Sequence, residues 1–333
     1  MRPRFQWDLG RRTLPLGERT LVMGILNVTP DSFSDGGLYL SPQAAIAHGL
    51  ELLDQGADIL DIGGESTRPG TPTASSLAPA LAGAVSAQEE LDRVLPIIET
   101  LKRERPDSIL SIDTYKSAVA LRALDAGAEI VNDVSGFTWD PAMSSTVAQR
   151  RCAAILMHVR GLPHQWLTLP PAPDVVSLVC EELRTRAAEA LAAGIARRSI
   201  VLDPGFGFGK RLDENYPLLA RFAEFHSLGF PLLAAASRKS FLGHTVAARL
   251  AQITSCSARS AAPHGNAPHE PAPLPPTARD TATLAATVAA ALAGAHIVRV
   301  HAVRPAVEAL AIADAILRAQ PPDSTTPPSS SVG

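Results

Sequence analysis

The sequence predicts an α/β protein with a single-domain (β/α)8 TIM barrel, and two patterns carry this prediction. Eight short apolar runs recur along the chain, each nearly continuous, as expected of parallel strands covered on both faces. They begin at Leu21, Asp58, Ser108, Glu129, Ala153, Ser199, Phe230 and His296. Longer segments typical of helices separate them, and eight such units in about 300 residues fit this barrel.

The second pattern is a glycine placed just before several of these runs. QGADILDIG, AGAEIVND and AGAHIVRVH share it at Gly56, Gly127 and Gly294, and Gly194 stands in a similar phrase. A glycine that ends a helix tolerates positive φ, so this phrase is typical of a helix-to-strand connection. Its recurrence favours stacked βα units over separate domains. An open, doubly wound sheet is the alternative architecture.

Composition limits the function classes. The chain has 333 residues, of which 46% are hydrophobic, enough for a large buried core. Thirty Lys and Arg against 33 Asp and Glu give a net charge of −3, so we expect no nucleic-acid or membrane partner. The three scattered cysteines predict neither a disulfide framework nor a zinc site.

The compartment is also an expectation from sequence. The first residues, MRPRFQWDLGRR, are charged and lack the apolar stretch of a secretory signal. The most apolar stretch, 284–300, is too short to span a bilayer and is interrupted by Gly294 and His296. We therefore expect a cytoplasmic protein.

The boundaries follow from the apolar runs and the proline content. We expect an N-terminal lead-in over 1–20, the barrel over 21–319 and a disordered tail over 320–333. A proline-rich insertion occupies about 255–277, between the seventh and eighth runs, and a smaller one follows Thr71. We assign none of these segments a catalytic role.

Polar residues follow every predicted strand, where a barrel of this kind carries its chemistry. They are Asn27, the segment Asp61–Arg68, Asp113, Asn132 with Asp133, His158, Asp203, Ser237 to Lys239, and Arg299 with His301. A single acid at such a position is often a helix cap, and a single histidine is often a packed core residue. Eight polar strand ends together predict one shared polar mouth.

The charges of this mouth indicate its ligand. Arg68, Lys239 and Arg299 suit phosphate oxygens, whereas Asp and Asn side chains suit the edge of a flat heterocycle. Asn27, with two further oxygen-bearing residues close behind it, offers hard ligands for Mg²⁺. The pattern predicts a ligand with a polar ring at one end and a phosphate at the other.

Two loops and one helix start complete the pattern. NVTPDSFSDGG and GGESTRPG follow the first two strands and have the composition of loops that close over a substrate. The glycines of LDPGFGFGK lack dinucleotide-motif spacing, so that phosphate signal is weak. SRKS begins a predicted helix, whose N–H groups can hold a carboxylate.

The motifs as a set resemble the dihydropteroate synthase family of folate biosynthesis. They are MGILNVTPDSFSDGG, DIGGESTRPG, SIDTYK, VNDVSG, LMH, LDPGFGFGK, SRKSFLG and HIVRVHAV, in order from Leu21 to Ala302. The resemblance implies a dimeric (β/α)8 transferase. It implies that 6-hydroxymethyl-7,8-dihydropterin diphosphate and para-aminobenzoate are joined to 7,8-dihydropteroate with release of pyrophosphate, and that sulfonamides inhibit the enzyme.

The resemblance also assigns roles to residues. The pterin pocket would comprise Asp113, Asn132, Asp203 and Lys239, where the acids accept hydrogen bonds and the amide and ammonium donate. The diphosphate set would comprise Thr67, Arg68, Arg299 and His301, with Asn27 as the Mg²⁺ ligand. Phe208 and Ser240 would shape the para-aminobenzoate site. Arg68, Lys239 and Arg299 are the residues expected to contribute most to catalysis.

Two other functions share part of this pattern. A pterin-binding barrel that transfers a methyl group from a methylated folate would keep the pterin residues, but should lack both loops and the SRK and RVH anion set. A paralogue that binds a pterin without turnover would keep the residues but not the active geometry. The presence of both loops and of this anion set argues against the methyltransferase, and intact Asn27, Arg68, Lys239 and His301 argue against the paralogue without turnover.

Overall fold

The chain forms a hairpin followed by a parallel eight-stranded sheet. The computed structural model describes residues 2–29, 41–66, 84–258 and 271–319. The hairpin pairs β1 (Phe5–Asp8) with β2 (Thr13–Leu16) in antiparallel register. The parallel strands are β3 (Leu21–Asn27), β4 (Ile59–Gly63), β5 (Leu110–Asp113), β6 (Ile130–Asp133), β7 (Ala153–Met157), β8 (Ile200–Asp203), β9 (Leu233–Ala234) and β10 (Ile297–Val300).

The parallel sheet closes on itself. Its strand order is β8-β7-β6-β5-β4-β3-β10-β9. The two end strands then meet: Leu202 pairs with Leu232 in parallel, and the Leu202 N–H donates to the Pro231 carbonyl at 3.0 Å. This ring confirms the predicted (β/α)8 barrel and excludes the open, doubly wound sheet.

Helices alternate with the barrel strands and cover their outer face. They are α1 (Pro42–Asp54), α2 (Ala87–Glu104), α3 (Ser117–Asp125), α4 (Met143–Arg150), α5 (Val175–Ala192), α6 (Asn215–Ala220), α7 (Ser240–Ala258), α8 (Asp280–Leu292) and α9 (Val303–Ala319). The four glycines of the recurrent phrase follow helices and have φ between 92° and 115°, as predicted. Across the described residues, every helix is too short or too polar to cross a membrane.

Each barrel strand is buried on both faces, which explains the continuous apolar runs. In β3, Met23 faces the barrel interior, whereas Val22 and Leu26 pack under the helices. The same alternation gives an inner Ile155 and an outer Leu156 in β7. Because successive side chains of a strand point to opposite faces, both sets must be apolar.

The N-terminal hairpin fills the amino end of the barrel. Trp7, Leu9 and Leu16 are buried and belong to the same cluster as the inward side chains of the strands. The Trp7 indole N–H donates to the Ser199 carbonyl at 3.0 Å. The segment named as a lead-in over 1–20 is therefore a structured part of the core, and its first residues are held as well, since His296 contacts the Pro3 carbonyl at 2.9 Å.

The proline-rich segment lies partly within the described residues. Helix α7 continues to Ala258, and a short 3-10 turn spans Pro276–Arg279 before α8. Residues 259–270, together with the predicted tail after 319 and the smaller insertion up to residue 83, lie outside the described ranges. The boundaries proposed for these segments stay predictions.

Replacing Trp7, which lies at the amino end of the barrel, tests how much the hairpin stabilises the barrel. We expect Trp7→Ala to lower the free energy of unfolding by about 3–5 kcal/mol, since a fully buried indole leaves a cavity. Trp7→Phe, which mainly removes the N–H donor to Ser199, should cost about 1–2 kcal/mol. Urea denaturation measures both, and a loss below about 1 kcal/mol for Trp7→Ala would contradict the assignment of the hairpin to the core.

Candidate active site

The carboxyl ends of the barrel strands surround a cavity of about 1240 Å³. Nine of the residues predicted for the site line it: Asn27, Asp113, Asn132, Asp203, Phe208, Lys239, Ser240, Arg299 and His301. The other two, Thr67 and Arg68, lie outside the described residues, although Glu65 and Ser66 immediately before them line the cavity. The structure thus brings the described part of the predicted site into one mouth.

A period of two along each strand decides which polar ends reach the mouth. In β6, Ile130 faces the barrel interior and Val131 faces the helices, so Asn132 is inward and Asp133 outward. Asp133 is buried, and its carboxylate accepts the Ser135 N–H at 2.7 Å. It shapes the turn after β6, and the prediction that it points into the mouth is wrong.

The prediction that His158 points into the mouth is wrong for the same reason. It follows Met157, which lines the cavity, and is therefore on the outward face of β7. Its ring is buried and its Nε2 lies 3.1 Å from Glu182 Oε2 on α5. Burial lowers the pKa of His158 to about 4, so the ring is neutral at physiological pH. The structure assigns it to the packing of α5 on the barrel rather than to the mouth.

An ion-pair network lies at the base of the cavity. Arg299 donates from Nε to Asp61 Oδ2 at 2.5 Å and from Nη2 to Asp113 Oδ2 at 2.6 Å. Asn132 Nδ2 donates to the same Asp61 oxygen at 2.8 Å. Asp61 engages one of the two N–H donors of the Asn132 amide, so a second N–H and the carbonyl oxygen remain for a ligand, and the donor role expected from the sequence stays a prediction.

Asp113 and Asp203 are difficult to ionise. Burial raises the pKa of Asp113 well above its usual range, although Arg299 works in the opposite direction. Burial likewise raises the pKa of Asp203 to about 6, despite the hydrogen bond it accepts from the Gly205 N–H. Burial works against the cation of Arg299 too, but Asp61 and Asp113 outweigh it and raise its pKa.

Lys239 and Phe208 form the wall next to Asp203. The Lys239 Nζ lies 3.9 Å from the centroid of the Phe208 ring, a cation–π contact. Trp166 packs edge-on against the other side of Phe208, with 5.3 Å between centroids. Burial lowers the pKa of Lys239 to about 8, so its ammonium is only weakly favoured over the neutral amine.

The turn before α7 positions Lys239, Ser240 and His301. Arg238 adopts a positive φ of 57° and lines the cavity, and its guanidinium forms a bidentate pair with Asp280 at 2.7 and 2.8 Å. The Ser237 hydroxyl accepts the His301 backbone N–H at 3.2 Å and lies 2.9 Å from His301 Nδ1, to which it can donate. With Nδ1 accepting, a neutral His301 carries its proton on Nε2, where it can serve an anion.

Sequence analysis missed Lys210, at the end of LDPGFGFGK. Its buried ammonium donates to the backbone carbonyls of Gly205 at 2.6 Å and of His158 at 3.2 Å. Gly205 has φ +69°, and a Cβ there would lie 2.0 Å from the His158 carbonyl oxygen. This motif therefore holds two loops of the mouth together. The hydrogen bonds of its lysine go to backbone carbonyls, so the lysine is not placed to bind phosphate.

The buried carboxylate of Asp203 should lower the stability of the fold. Its carboxyl pKa is raised, so the wild-type fold loses stability as pH rises from about 4 to about 6. We expect Asp203→Asn to raise the free energy of unfolding by on the order of 1–3 kcal/mol at pH 7.5, with roughly half that gain at pH 5.

Denaturation at both pH values without ligand measures this gain, with exposed Asp213→Asn as the control. The control should change stability by less than about 0.5 kcal/mol. A loss of stability for Asp203→Asn at pH 7.5 would show that the carboxylate is not the unfavourable form in the fold.

Comparisons with known proteins agree with this geometry. The family described as pterin binding enzyme matches residues 23–301. The dihydropteroate synthase of Escherichia coli strain K12 is 39% identical over 303 residues, 90% of this chain and 92% of that protein.

Two solved structures cover nearly the whole chain. The Yersinia pestis dihydropteroate synthase with a sulfonamide drug complex has a TM-score of 0.78 and 38% identity, and the match covers 95% of this chain and 100% of that chain. The Xanthomonas albilineans dihydropteroate synthase in complex with 7,8-dihydropteroate has a TM-score of 0.73 and 38% identity, covering 96% and 100%. The chain belongs to the dihydropteroate synthase family of pterin-binding enzymes.

Proposed function

We propose that this chain catalyses the condensation of 6-hydroxymethyl-7,8-dihydropterin diphosphate with para-aminobenzoate, giving 7,8-dihydropteroate and pyrophosphate. The observation that carries the proposal is the convergence of Asp113, Asn132, Asp203 and Lys239 with Arg299 in one cavity. The family membership of the chain supports it, as does the 7,8-dihydropteroate bound by the Xanthomonas albilineans relative.

The inner end of the cavity suits a pterin ring. Asp113 and Asp203 can accept ring N–H groups, Asn132 offers an N–H and a carbonyl oxygen, and Lys239 offers a donor. Asp113, Asn132 and Asp203 are held by barrel strands, and Lys239 is held by the turn before α7. The ring is therefore oriented by preformed partners, and little side-chain freedom is lost on binding.

The diphosphate would lie toward Arg299 and His301. Arg299 uses Nε and Nη2 for its two acids, so its remaining N–H groups can donate to phosphate oxygens. His301 adds a ring N–H donor. The resemblance adds Thr67 and Arg68 to this set. Near them, Phe208 and Ser240 at the start of α7 would form the para-aminobenzoate site, with the helix N-terminus favouring its carboxylate.

A magnesium ion fits this arrangement only together with the substrate. A Cβ built on Gly63 would lie 3.7 Å from Asn27 Oδ1 and 3.6 Å from Asp113 Oδ2, so these two hard oxygens border the same glycine. Among the described residues, no group of three or more His, Cys, Asp or Glu side chains could hold a metal. We propose that Asn27 holds Mg²⁺ with diphosphate oxygens and water, where the ion would neutralise charge on the departing pyrophosphate.

The proposed reaction needs no covalent enzyme intermediate. The C–O bond between the pterin methylene and the diphosphate breaks, and its electron pair leaves with pyrophosphate. The aromatic amine forms the new C–N bond and releases a proton. Arg299 and Arg68 stabilise the growing negative charge, while the cavity walls hold the amine against the methylene and exclude water.

Pyrophosphate release tests this function. We expect release from the dihydropterin diphosphate with Mg²⁺ to require para-aminobenzoate and to match dihydropteroate formation one to one. Release without para-aminobenzoate would contradict a synthase. Binding of the pterin without any release would indicate the non-catalytic paralogue, and methyl transfer from a methylated folate would indicate the methyltransferase.

Three variants separate the proposed roles. Asp203→Ala and Lys239→Ala should weaken binding of the pterin diphosphate by about tenfold or more, since each removes a buried hydrogen-bond partner of the ring. Arg68→Ala should chiefly lower kcat. Exposed Arg318→Ala is the control and should change neither quantity. Unchanged pterin affinity for Asp203→Ala, measured by calorimetry, would show that the pterin pocket is assigned wrongly.

We further propose a cytoplasmic homodimer that sulfonamides inhibit. The dimer is supported by the family and by Leu250 and Ile253 of α7, which are 49% and 52% exposed and form an apolar patch. We expect Leu250→Asp with Ile253→Asp to shift the sedimentation mass from two chains to one. A wild-type chain that sediments as a monomer at micromolar concentration would overturn the dimer.

A further inference from the structure

The turn that carries Lys239 contains a residue in an unfavourable backbone conformation. The Lys239 N–H donates to the Ala236 carbonyl at 3.2 Å, so the chain from Ala236 to Lys239 forms one tight turn. Its third residue, Arg238, has φ +57°. A turn with positive φ at this position usually has glycine or asparagine there, because the Cβ of other residues crowds the backbone. Contacts from outside the turn must therefore hold Arg238 in this conformation.

The start of α8 holds Arg238 through three different groups. The Arg238 N–H donates to the Thr283 hydroxyl at 2.9 Å, and the Arg238 carbonyl accepts from Arg279 Nη1 at 2.8 Å. The Arg238 guanidinium forms the bidentate pair with Asp280. The peptide groups on both sides of the Arg238 Cα are thus fixed by residues of one helix start, and these two peptide groups define the φ and ψ of Arg238.

Arg279 is the most firmly held of these partners. Its Nε donates to the Leu274 carbonyl at 2.7 Å, and only 8% of the residue is exposed. A Cβ built on Gly243 would lie 2.5 Å from the same Nε, so α7 approaches Arg279 closely at a residue without a side chain. The pair between Arg238 and Asp280 is more exposed and should contribute less. The main fixed donor to the turn is therefore Arg279.

The place of Lys239 in the cavity depends on this turn. Its stem packs on Gly207, where a Cβ would lie 3.5 Å from Lys239 Cδ, and its Nζ lies over the Phe208 ring. A change from positive to negative φ at Arg238 would rotate the chain that follows and redirect the Lys239 side chain. The contacts of Lys239 therefore require the left-handed conformation of Arg238.

We propose that Arg279 is a positioning residue for the pterin pocket, because it holds Arg238 in the left-handed conformation and thereby keeps the Lys239 ammonium over Phe208. This inference rests on the function proposed for Lys239. Arg279 acts through the backbone of Arg238 rather than through a bond to the substrate. Replacing Arg279 should therefore move Lys239 even in the protein without ligand.

Nuclear magnetic resonance of lysines labelled with ¹³C at Cε measures the position of Lys239 without ligand. The signal that is lost in Lys239→Ala identifies the residue. In the wild-type chain, we expect the Phe208 ring to shift the Cε protons of Lys239 upfield. The signal should titrate near pH 8, since burial, aided by Arg299, lowers the pKa of Lys239 to about 8 against the opposing effects of Asp203 and Asp113.

The test compares Arg279→Met with a matched control, Arg2→Met. Arg2 is also a buried arginine that donates to a backbone carbonyl, that of Ala291 at 3.1 Å, but at the other end of α8. In Arg279→Met, the Lys239 signal should lose its upfield shift and titrate closer to about pH 10. The dihydropterin diphosphate should bind about fivefold or more weakly in calorimetry. Arg2→Met should keep the Lys239 signal and the affinity of the wild type.

A second substitution, Arg238→Gly, separates backbone positioning from direct contact with the ligand. Glycine adopts positive φ without a steric penalty, so the turn no longer needs Arg279. In the Arg238→Gly background, we expect Arg279→Met to weaken binding by less than about twofold. An undiminished loss in that background would show that Arg279 does not act through the conformation of residue 238, and would overturn the proposal.

An unchanged Lys239 signal in Arg279→Met would overturn it as well. If Arg279→Met does not fold, Thr283→Val keeps the side-chain shape and removes the acceptor of the Arg238 N–H. It should move the Lys239 signal in the same direction by a smaller amount, and no movement would contradict the proposal equally.

The ligand-free signal distinguishes this inference from the proposed function. A wild-type chain that binds the pterin diphosphate without making dihydropteroate would defeat the synthase, while the Lys239 signal would still decide the positioning role. Conversely, normal synthase activity with an unmoved Lys239 signal in Arg279→Met would defeat the positioning role alone.

Discussion

Buried charge at the carboxyl end of the barrel is the constraint on which the rest of the site depends. Asp61 and Asp113 are held next to Arg299 in a space from which water is largely removed. Each ion would be costly there alone, and the geometry of the pairs reduces that cost only in part, as the raised pKa of Asp113 and Asp203 shows. The barrel must therefore be stable enough to hold these groups in an unfavourable environment.

The amino end of the barrel provides that stability. Trp7 and the hairpin close the amino end of the barrel, and the inward side chains between this end and the mouth are apolar. Glu129, paired with Lys102 and Arg12, ties α2 and the hairpin loop to the start of β6. Stability and chemistry thus occupy opposite ends of the same strands, which lets the polar mouth vary without removing the core.

The barrel was predictable from sequence because its main signal is physical and repeated. Strands covered on both faces must be apolar throughout, and the glycines after the helices adopt the positive φ that the connection requires. The hairpin was not predictable by this reasoning. Its two four-residue strands show only a weak alternation of apolar and polar residues. Only their packing against the amino end of the barrel explains why Trp7 and Leu16 are buried.

The sequence predicted which strand ends carry the polar residues of the site. It did not predict the direction in which each of those side chains points. Asn132 and Asp133 are adjacent, yet one enters the mouth and the other turns toward the helices. The alternation of inner and outer residues, counted back from the end of each strand, would have separated them. That parity also separates Met157 from His158, so the signal was present in the sequence.

The contacts of Lys210 and the hydrogen bond between Asn132 and Asp61 required coordinates. Lys210 is fixed by carbonyls of two loops whose approach depends on Gly205, and no local pattern reveals that contact. The amide of Asn132 is oriented by Asp61, which is 71 positions away in the chain and lies on β4, separated from β6 by β5. Such partners are set by the closure of the ring.

The ion pairs of Arg299 explain how the mouth can bind a ligand without rearrangement of its side chains. Arg299 satisfies Asp61 and Asp113 through Nε and Nη2, and each carboxylate retains further lone pairs. In the proposed assignment, a pterin ring would bond to Asp113, and a diphosphate to the remaining guanidinium N–H groups, while both ion pairs persist. Because the donors and acceptors are already oriented, the reorganisation needed in the transition state is small, and this is the condition under which electrostatic stabilisation is most effective.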